Sequence, residues 1–226
     1  MKISAIIVAA GSSRRMGFDK LEADLGGESV LVRSILAFEN CDAVSEIRVV
    51  TSLEKFPAVE SAAKRLQIDK FVEAVEGGAE RHLSVNAGLE RVGAHCDLVA
   101  VHDGARPLVT PAAIIQCGQV AERTGAAVLA HRVADTLKRG NDAGEVCGSV
   151  SREDLWAMET PQIFQVDLLR EAYSAVLAAG DVVTDEVSAI GKLGRPVSLV
   201  ENREANGKIT VPGDLVVARA VIRERS

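Results

Sequence analysis

Ala9-Ala10-Gly11-Ser12-Ser13-Arg14-Arg15-Met16-Gly17-Phe18-Asp19-Lys20 follows directly on Ile3-Ser4-Ala5-Ile6-Ile7-Val8, and the order of these two pieces decides the fold. The apolar run reads as a short strand buried on both faces, the kind that parallel sheets contain. A Gly26-Gly27 turn and an amphipathic segment over 30–38 come next. The order is therefore buried strand, small-residue loop, helix. Small residues let a backbone approach an anion closely, and successive N–H groups form a concave anion site. Arg14, Arg15 and Lys20 add full positive charge. At the carboxyl end of a first strand such a loop suits the phosphates of a nucleotide. It carries neither G-x-x-x-x-G-K-[ST] nor G-x-G-x-x-G, and a solvated basic loop is the plainer alternative.

Working outward, the same rhythm repeats. Strands are expected over 47–51, 70–75, 97–101, 125–130 and 197–200, and helices over 56–66, about 81–92, 110–122, 166–179, 185–193 and 212–223. Thr110-Pro111 is a helix start, an N-cap followed by proline at the first helical position. Strands alternating with helices predict an α/β fold: a doubly wound, mostly parallel, Rossmann-like sheet with helices on both faces. Three loops bearing glycine or charge, 9–20, 76–81 and 102–107, then fall at the carboxyl ends of strands, where open α/β sheets bind ligands. The rhythm breaks over 134–156, where two extended pieces flank Gly140-Asn141-Asp142-Ala143-Gly144. This predicts a protruding β-hairpin arm. An isolated hairpin is marginal in water, so the arm needs a surface, either a twofold partner or its own domain. With no repeat or linker, 1–226 reads as a single domain.

Composition narrows the function. A net charge of −6 over 226 residues argues against a nucleic-acid groove, and 3% aromatic content removes the stacking platform of single-strand binders. Local cations in an acidic chain point instead to a small anionic ligand. No apolar run is long enough for a membrane span, and the N-terminus enters a strand at once without a signal-peptide pattern, so cytoplasmic residence is expected. Cys41, Cys96, Cys117 and Cys147 are scattered without metal-ligand spacing and read as small apolar side chains.

The charged residues near strand ends form one pattern. Arg15, Lys20, Arg106, Arg152 and Lys208 supply cations, and Asp135, Thr136, Thr160 and Thr184 supply polar contacts. Asp103, after a buried strand, is either an oxygen ligand for a hard cation such as Mg²⁺ or a turn cap beside Gly104. His102 reads as a satisfied residue at the strand end, and Arg106-Pro107 also reads as a structural loop. Many cations, one or two carboxylates and no Ser/His or Cys/His pairing are poor for acyl transfer. They suit phosphoryl or nucleotidyl transfer, where positioning and charge stabilisation carry the reaction.

Assembled, these segments resemble the methylerythritol phosphate cytidylyltransferase family. The matching pieces are Ala9-Ala10-Gly11 through Arg14-Arg15-Met16 and Lys20; Gly78-Ala79-Glu80-Arg81 with Ser84-Val85; and His102-Asp103-Gly104-Ala105-Arg106-Pro107. Asp135-Thr136-Leu137-Lys138, Arg152-Glu153-Asp154-Leu155-Trp156, Thr160-Pro161-Gln162-Ile163-Phe164, Thr184-Asp185-Glu186-Val187-Ser188-Ala189 and Lys208-Ile209-Thr210 continue it in order. The resemblance implies transfer of a cytidylyl group from CTP to 2-C-methyl-D-erythritol 4-phosphate with Mg²⁺. It implies that Ala9, Ala10 and Gly11 lie along CTP, with Arg15 and Lys20 stabilising the transition state. Gly78, Arg81 and Ser84 would border cytosine and ribose, Asp103 the metal–triphosphate, and Gly104 the ribose. Arg106, Thr136, Thr184 and Lys208 would surround the sugar phosphate. Arg152 and Thr160, reached through the arm, would enter the neighbouring subunit's site, which makes a homodimer functional. Asp19, Ala79 and Gly207 depart from the family pattern. They leave open the loop's rigidity, one polar contact at the base pocket, and the anchoring of Lys208. A ribitol 5-phosphate cytidylyltransferase shares this chemistry. Transfer to another acceptor such as a molybdopterin cofactor, and a non-catalytic nucleotide-binding protein, are more distant alternatives.

Overall fold

The computed structural model describes residues 1–11 and 17–225. Its strands are β1 (Ile3–Val8), β2 (Val44–Thr51), β3 (Phe71–Glu76), β4 (Leu98–Asp103), β5 (Ala126–Arg132), β6 (Leu137–Gly140), β7 (Val146–Val150), β8 (Trp156–Gln165) and β9 (Ser198–Glu201). Its helices are α1 (Val30–Glu39), α2 (Phe56–Arg65), α3 (Arg81–Leu89), α4 (Pro111–Thr124), α5 (Val166–Ala179), α6 (Glu186–Lys192) and α7 (Pro212–Arg225). Seven strands form one sheet in the order β3-β2-β1-β4-β8-β5-β9, and β6 and β7 form the separate hairpin expected of the arm.

Strand β1 is parallel to both neighbours, pairing with β2 on one side and β4 on the other. Alternate side chains divide between the two faces. Ile3, Ala5 and Ile7 pack in the core that contains Val30, Ile35 and Phe38 of α1, Val59 of α2, Ile114 of α4 and Leu215 of α7. Ile6 packs in the other core, with Val85 and Leu89 of α3, Leu169 and Tyr173 of α5, and Ile190 of α6. Both faces are thus covered, which is why β1 carries no alternation of polarity. The chain winds outward through β1, β2 and β3, then returns to place β4 against the free side of β1. That reversal is a topological switch point, and Val8 stands opposite Asp103 there.

Strand β8 departs from the expected pattern. It lies antiparallel between β4 and β5, so an otherwise parallel sheet is mixed at its centre. Pro161 and the polar Glu159, Thr160 and Gln162 argue locally against a central strand. They are tolerated because long-range partners satisfy them. Glu159 accepts from Asn202 Nδ2 at 2.7 Å and Asn206 Nδ2 at 2.8 Å. Gln162 accepts from the Val187 amide at 3.1 Å. The ladder with β5 shifts register between Val128 and Ala130, opposite the Thr160-Pro161 pair, where proline offers no N–H.

Candidate active site

A cavity of about 400 Å³ opens at the switch point, lined by Ala9, Ala10, Gly11, Lys20, Gly78, Arg81, Ser84, Asp103 and Lys208 among others. Each wall has a local cause. The loop after β1 lies close against the loop after β3: a Cβ on Gly77 would stand 2.4 Å from Ala10 Cβ, and one on Gly78 would stand 2.5 Å from Leu83 Cβ. Only glycine permits that approach. The Ala9 amide donates to Val50 O at 2.7 Å, so the first loop leaves the sheet still tied to β2. Ser84, on the first turn of α3, turns its hydroxyl to Glu80 O (3.1 Å) and Gly78 O (3.3 Å), bracing the same wall.

Asp103 ends β4 and is the electrostatic centre. Lys208 Nζ lies 2.8 Å from its Oδ2, Arg81 Nη2 3.5 Å from Oδ1, and Arg106 Nε 3.6 Å from Oδ2. Burial works to raise its pKa, but the Lys208 and Arg81 charges outweigh it and hold the carboxyl well below the usual range. Lys208 comes from a loop pinned on either side. The Asn206 Nδ2 donates to Thr160 O at 2.9 Å, and the Ile209 amide donates to Ala105 O at 2.8 Å. The anchoring that Gly207 leaves open is thus supplied by its neighbours.

Behind Asp103, His102 and Thr160 form a closed relay. His102 Nε2 donates to the Arg106 carbonyl at 3.0 Å, which leaves Nδ1 to accept from Thr160 Oγ1 at 3.0 Å. Thr160 Oγ1 in turn accepts from the Asp103 amide at 3.1 Å. Burial pushes the His102 pKa down to about 4, so the ring is neutral and satisfied, as expected of a strand-end residue.

The other expected residues separate from this group. Thr160, expected to be reached through the arm, stands in β8 beyond it, 4% exposed, with its hydroxyl accepting from the Asp103 amide. Arg106 spends its Nη groups on Asn206 O (2.8 Å) and Met158 O (3.3 Å), the structural-loop alternative, with only Nε facing Asp103. Gly104 is buried beside Leu31 and Val8 and lies outside the cavity wall. Thr136 and Thr184 are exposed, and Arg152 bonds the Ala134 carbonyl at the base of the arm. Arg14 and Arg15 lie outside the described residues. Asp19 pairs with Lys55 and accepts from the Leu21 amide at 3.0 Å, so its carboxylate ties the Lys20 loop to the turn before α2.

Sequence reasoning missed Glu186. It opens α6, is fully buried, and takes Arg81 in two hydrogen bonds. The one local signal was an acidic residue directly after the helix cap Asp185.

Two settings for a metal are present. Asp103 offers a single carboxylate in a cavity it shares with Lys20 and Lys208, which fits Mg²⁺, a cation usually held by one or two carboxylates together with substrate phosphates. Glu46, His95 and Cys96 also bring ligand atoms within 4.8 Å of one another. They sit at the amino ends of β2 and β4, across the sheet from the cavity, and a thiol–imidazole pair suits softer metals than Mg²⁺.

A family model described as 2-C-methyl-D-erythritol 4-phosphate cytidylyltransferase matches residues 3–224. Relatives of that description include one from Alkaliphilus oremlandii, 37% identical over 99% of this chain and 96% of the relative. Another, from Caldanaerobacter subterraneus subsp. tengcongensis, is 38% identical over 99% and 100%. Among solved structures, a 4-diphosphocytidyl-2C-methyl-D-erythritol synthase from Anaerococcus prevotii superposes with a TM-score of 0.85 at 27% identity, covering 98% of each chain. The cytidylyltransferase of Thermus thermophilus gives 0.79 at 32% identity, over 96% of this chain and 98% of that one. With the cation-lined cavity at the switch point and a match across nearly the whole length, the chain belongs to the 2-C-methyl-D-erythritol 4-phosphate cytidylyltransferase family of enzymes.

Proposed function

We propose that the chain, acting as a single domain, transfers the cytidylyl group of CTP to 2-C-methyl-D-erythritol 4-phosphate, giving 4-diphosphocytidyl-2-C-methyl-D-erythritol and pyrophosphate. The carrying observation is one cavity that joins close backbone approach at Ala9, Ala10, Gly11 and Gly78 to Lys20, Arg81, Asp103 and Lys208. An acceptor phosphate oxygen attacks the α-phosphorus in line; a P–O bond forms there, and the bond to the β-phosphate breaks as pyrophosphate leaves. A phosphate monoester has its second pKa near ~6, so the nucleophile is already ionised and needs no general base. Consistent with that, His102 is neutral and fully bonded. The barrier is repulsion between anions. Lys20 and Lys208, with Arg15, neutralise charge that grows on the phosphates during transfer. Asp103 would hold Mg²⁺ with the triphosphate oxygens, and the ion would supply further Lewis-acid stabilisation.

On the acceptor side, Lys208, Thr136, Thr184 and the Nε edge of Arg106 are assigned to the polyol phosphate. Arg152, carried by the arm, is assigned to the site of a second copy in a homodimer. Among the described residues no helix is long and apolar enough to cross a membrane, and the cytoplasm is the proposed compartment. The test measures pyrophosphate release with CTP and Mg²⁺ against methylerythritol 4-phosphate and ribitol 5-phosphate. Faster release with the first is expected. A clear preference for ribitol 5-phosphate would transfer the reading to that acceptor, and silence with both would favour a binding protein.

A further inference from the structure

Glu186 and Tyr173 form a buried clamp on a cavity residue. Arg81 Nη1 donates to Glu186 Oε1 at 2.7 Å and Nη2 donates to Oε2 at 3.1 Å, a bidentate pair with a carboxylate that has no exposed surface. The Tyr173 hydroxyl, also buried, donates to the same Oε1 at 3.0 Å. Three helices converge here: the first residue of α3, and, about a hundred residues on, the middle of α5 and the first residue of α6. The start of α6 is itself held to the sheet, because Gln162 of β8 accepts the Val187 amide and donates to Asp185 Oδ2 at 3.4 Å.

The clamp decides where the Arg81 guanidinium points. Arginine has five N–H donors in a fixed plane, and two points of attachment fix both its position and its rotation. Glu186 takes the two short bonds and leaves Asp103 the longer contact of 3.5 Å. Nη1 and Nε each keep an N–H that no described residue accepts, on a side chain that lines the cavity. Without Glu186 the same guanidinium would be free to close on Asp103, which already carries Lys208 at 2.8 Å.

We propose that Glu186, braced by Tyr173, is a positioning residue that acts through Arg81 to hold the nucleotide end of the cavity ready for CTP. It rests on the functional reading above. The clamp acts on the Arg81 side of Asp103 and reaches Lys208 only through that shared carboxylate, so its effect falls first on nucleotide affinity.

The test is a double-mutant cycle on equilibrium CTP binding and on steady-state kinetics. Glu186→Gln is expected to weaken CTP binding and raise KM for CTP by about tenfold or more, the effect of losing a charge-assisted pair. KM for the polyol phosphate should change less than KM for CTP, because Arg81 meets Lys208 only through the Asp103 carboxylate they share. Arg81→Met should weaken CTP binding by a similar factor, and Glu186→Gln with Arg81→Met should be no worse than Arg81→Met alone. Glu186→Asp should recover part of the loss. Tyr173→Phe, which removes one hydroxyl and keeps the ring in its core, serves if the Glu186 variants fail to fold; a rise in KM for CTP of about threefold or more is expected for one lost hydrogen bond that acts on Arg81 through the Glu186 carboxylate. Losses that multiply in the double variant, or a lower melting temperature with unchanged CTP affinity in both Glu186→Gln and Tyr173→Phe, would overturn the proposal. A wild-type chain that binds no CTP would instead overturn the functional reading, and the clamp's role with it.

Discussion

At Lys20 and Lys208 a single ammonium group determines how much of the phosphate repulsion is cancelled. Removing one preorganised donor costs a transition state about 3 kcal/mol, so Lys20→Ala should lower kcat by about two orders of magnitude, measured by pyrophosphate release. Near-normal turnover in that variant would remove Lys20 from the machinery. His102 makes a second prediction, on stability. Its pKa is about 4 in the folded chain against 6.5 for the free side chain, and burial is the cause. Between those values the unfolded chain binds more protons, so the contribution is complete above pH 6.5 and is lost as pH falls through 4. The loss amounts to on the order of 3 kcal/mol, read as a falling urea midpoint. The ring's own NMR signals should stay fixed from pH 8 to 5, and a titration near 6.5 would contradict the closed relay with Thr160 and Arg106.

At the scale of elements, local chemistry was readable wherever one side chain served its own segment. Thr110 caps α4 as its Thr-Pro pair predicts, accepting from the Ala113 amide at 3.3 Å. Thr110→Ala should cost about 1 kcal/mol in denaturant unfolding while CTP kinetics stay unchanged, since α4 contributes no wall of the cavity. Ser29 and Asp185 cap α1 and α6 in the same way. Strand β8 was not readable. Its Glu159, Thr160 and Gln162 look like loop residues until Asn202, Asn206, His102 and Val187 arrive from elsewhere to satisfy them. A buried polar strand is stable only as part of such a network, and no window of ten residues contains it.

For the whole molecule, the arm is the open term. Strands β6 and β7 pair with each other, and Val146 on β7 is 70% exposed, a large apolar side chain on a two-stranded ribbon. A ribbon of this kind gains stability by packing on a further surface, and a second copy supplies one in the proposed dimer. Val146→Glu should then shift sedimentation toward monomer, and if Arg152 completes a neighbour's site, turnover should fall with the dimer fraction. An unchanged dimer with full activity would place the interface elsewhere. The three scales meet at the switch point, where β1 and β4 end side by side and the loops that wall the cavity leave the sheet.

From sequence alone the chain's fold class and the loops that offer its candidate site residues were determined. The buried run at 3–8, the strand–helix rhythm and the loops at 9–20, 76–81 and 102–107 are local patterns, and sheet topology alone sends such loops to one edge. Tertiary structure alone decided which of the candidates meet. It brought Lys20, Arg81, Asp103 and Lys208 to one cavity, tied Thr160 and the Nη groups of Arg106 into bonds with their own chain, and revealed Glu186 behind Arg81. The physical reason is range. Periodicity and capping act within a turn or a strand, whereas a buried carboxylate is explained only by the cation it faces, and Glu186 faces one that lies 105 residues away.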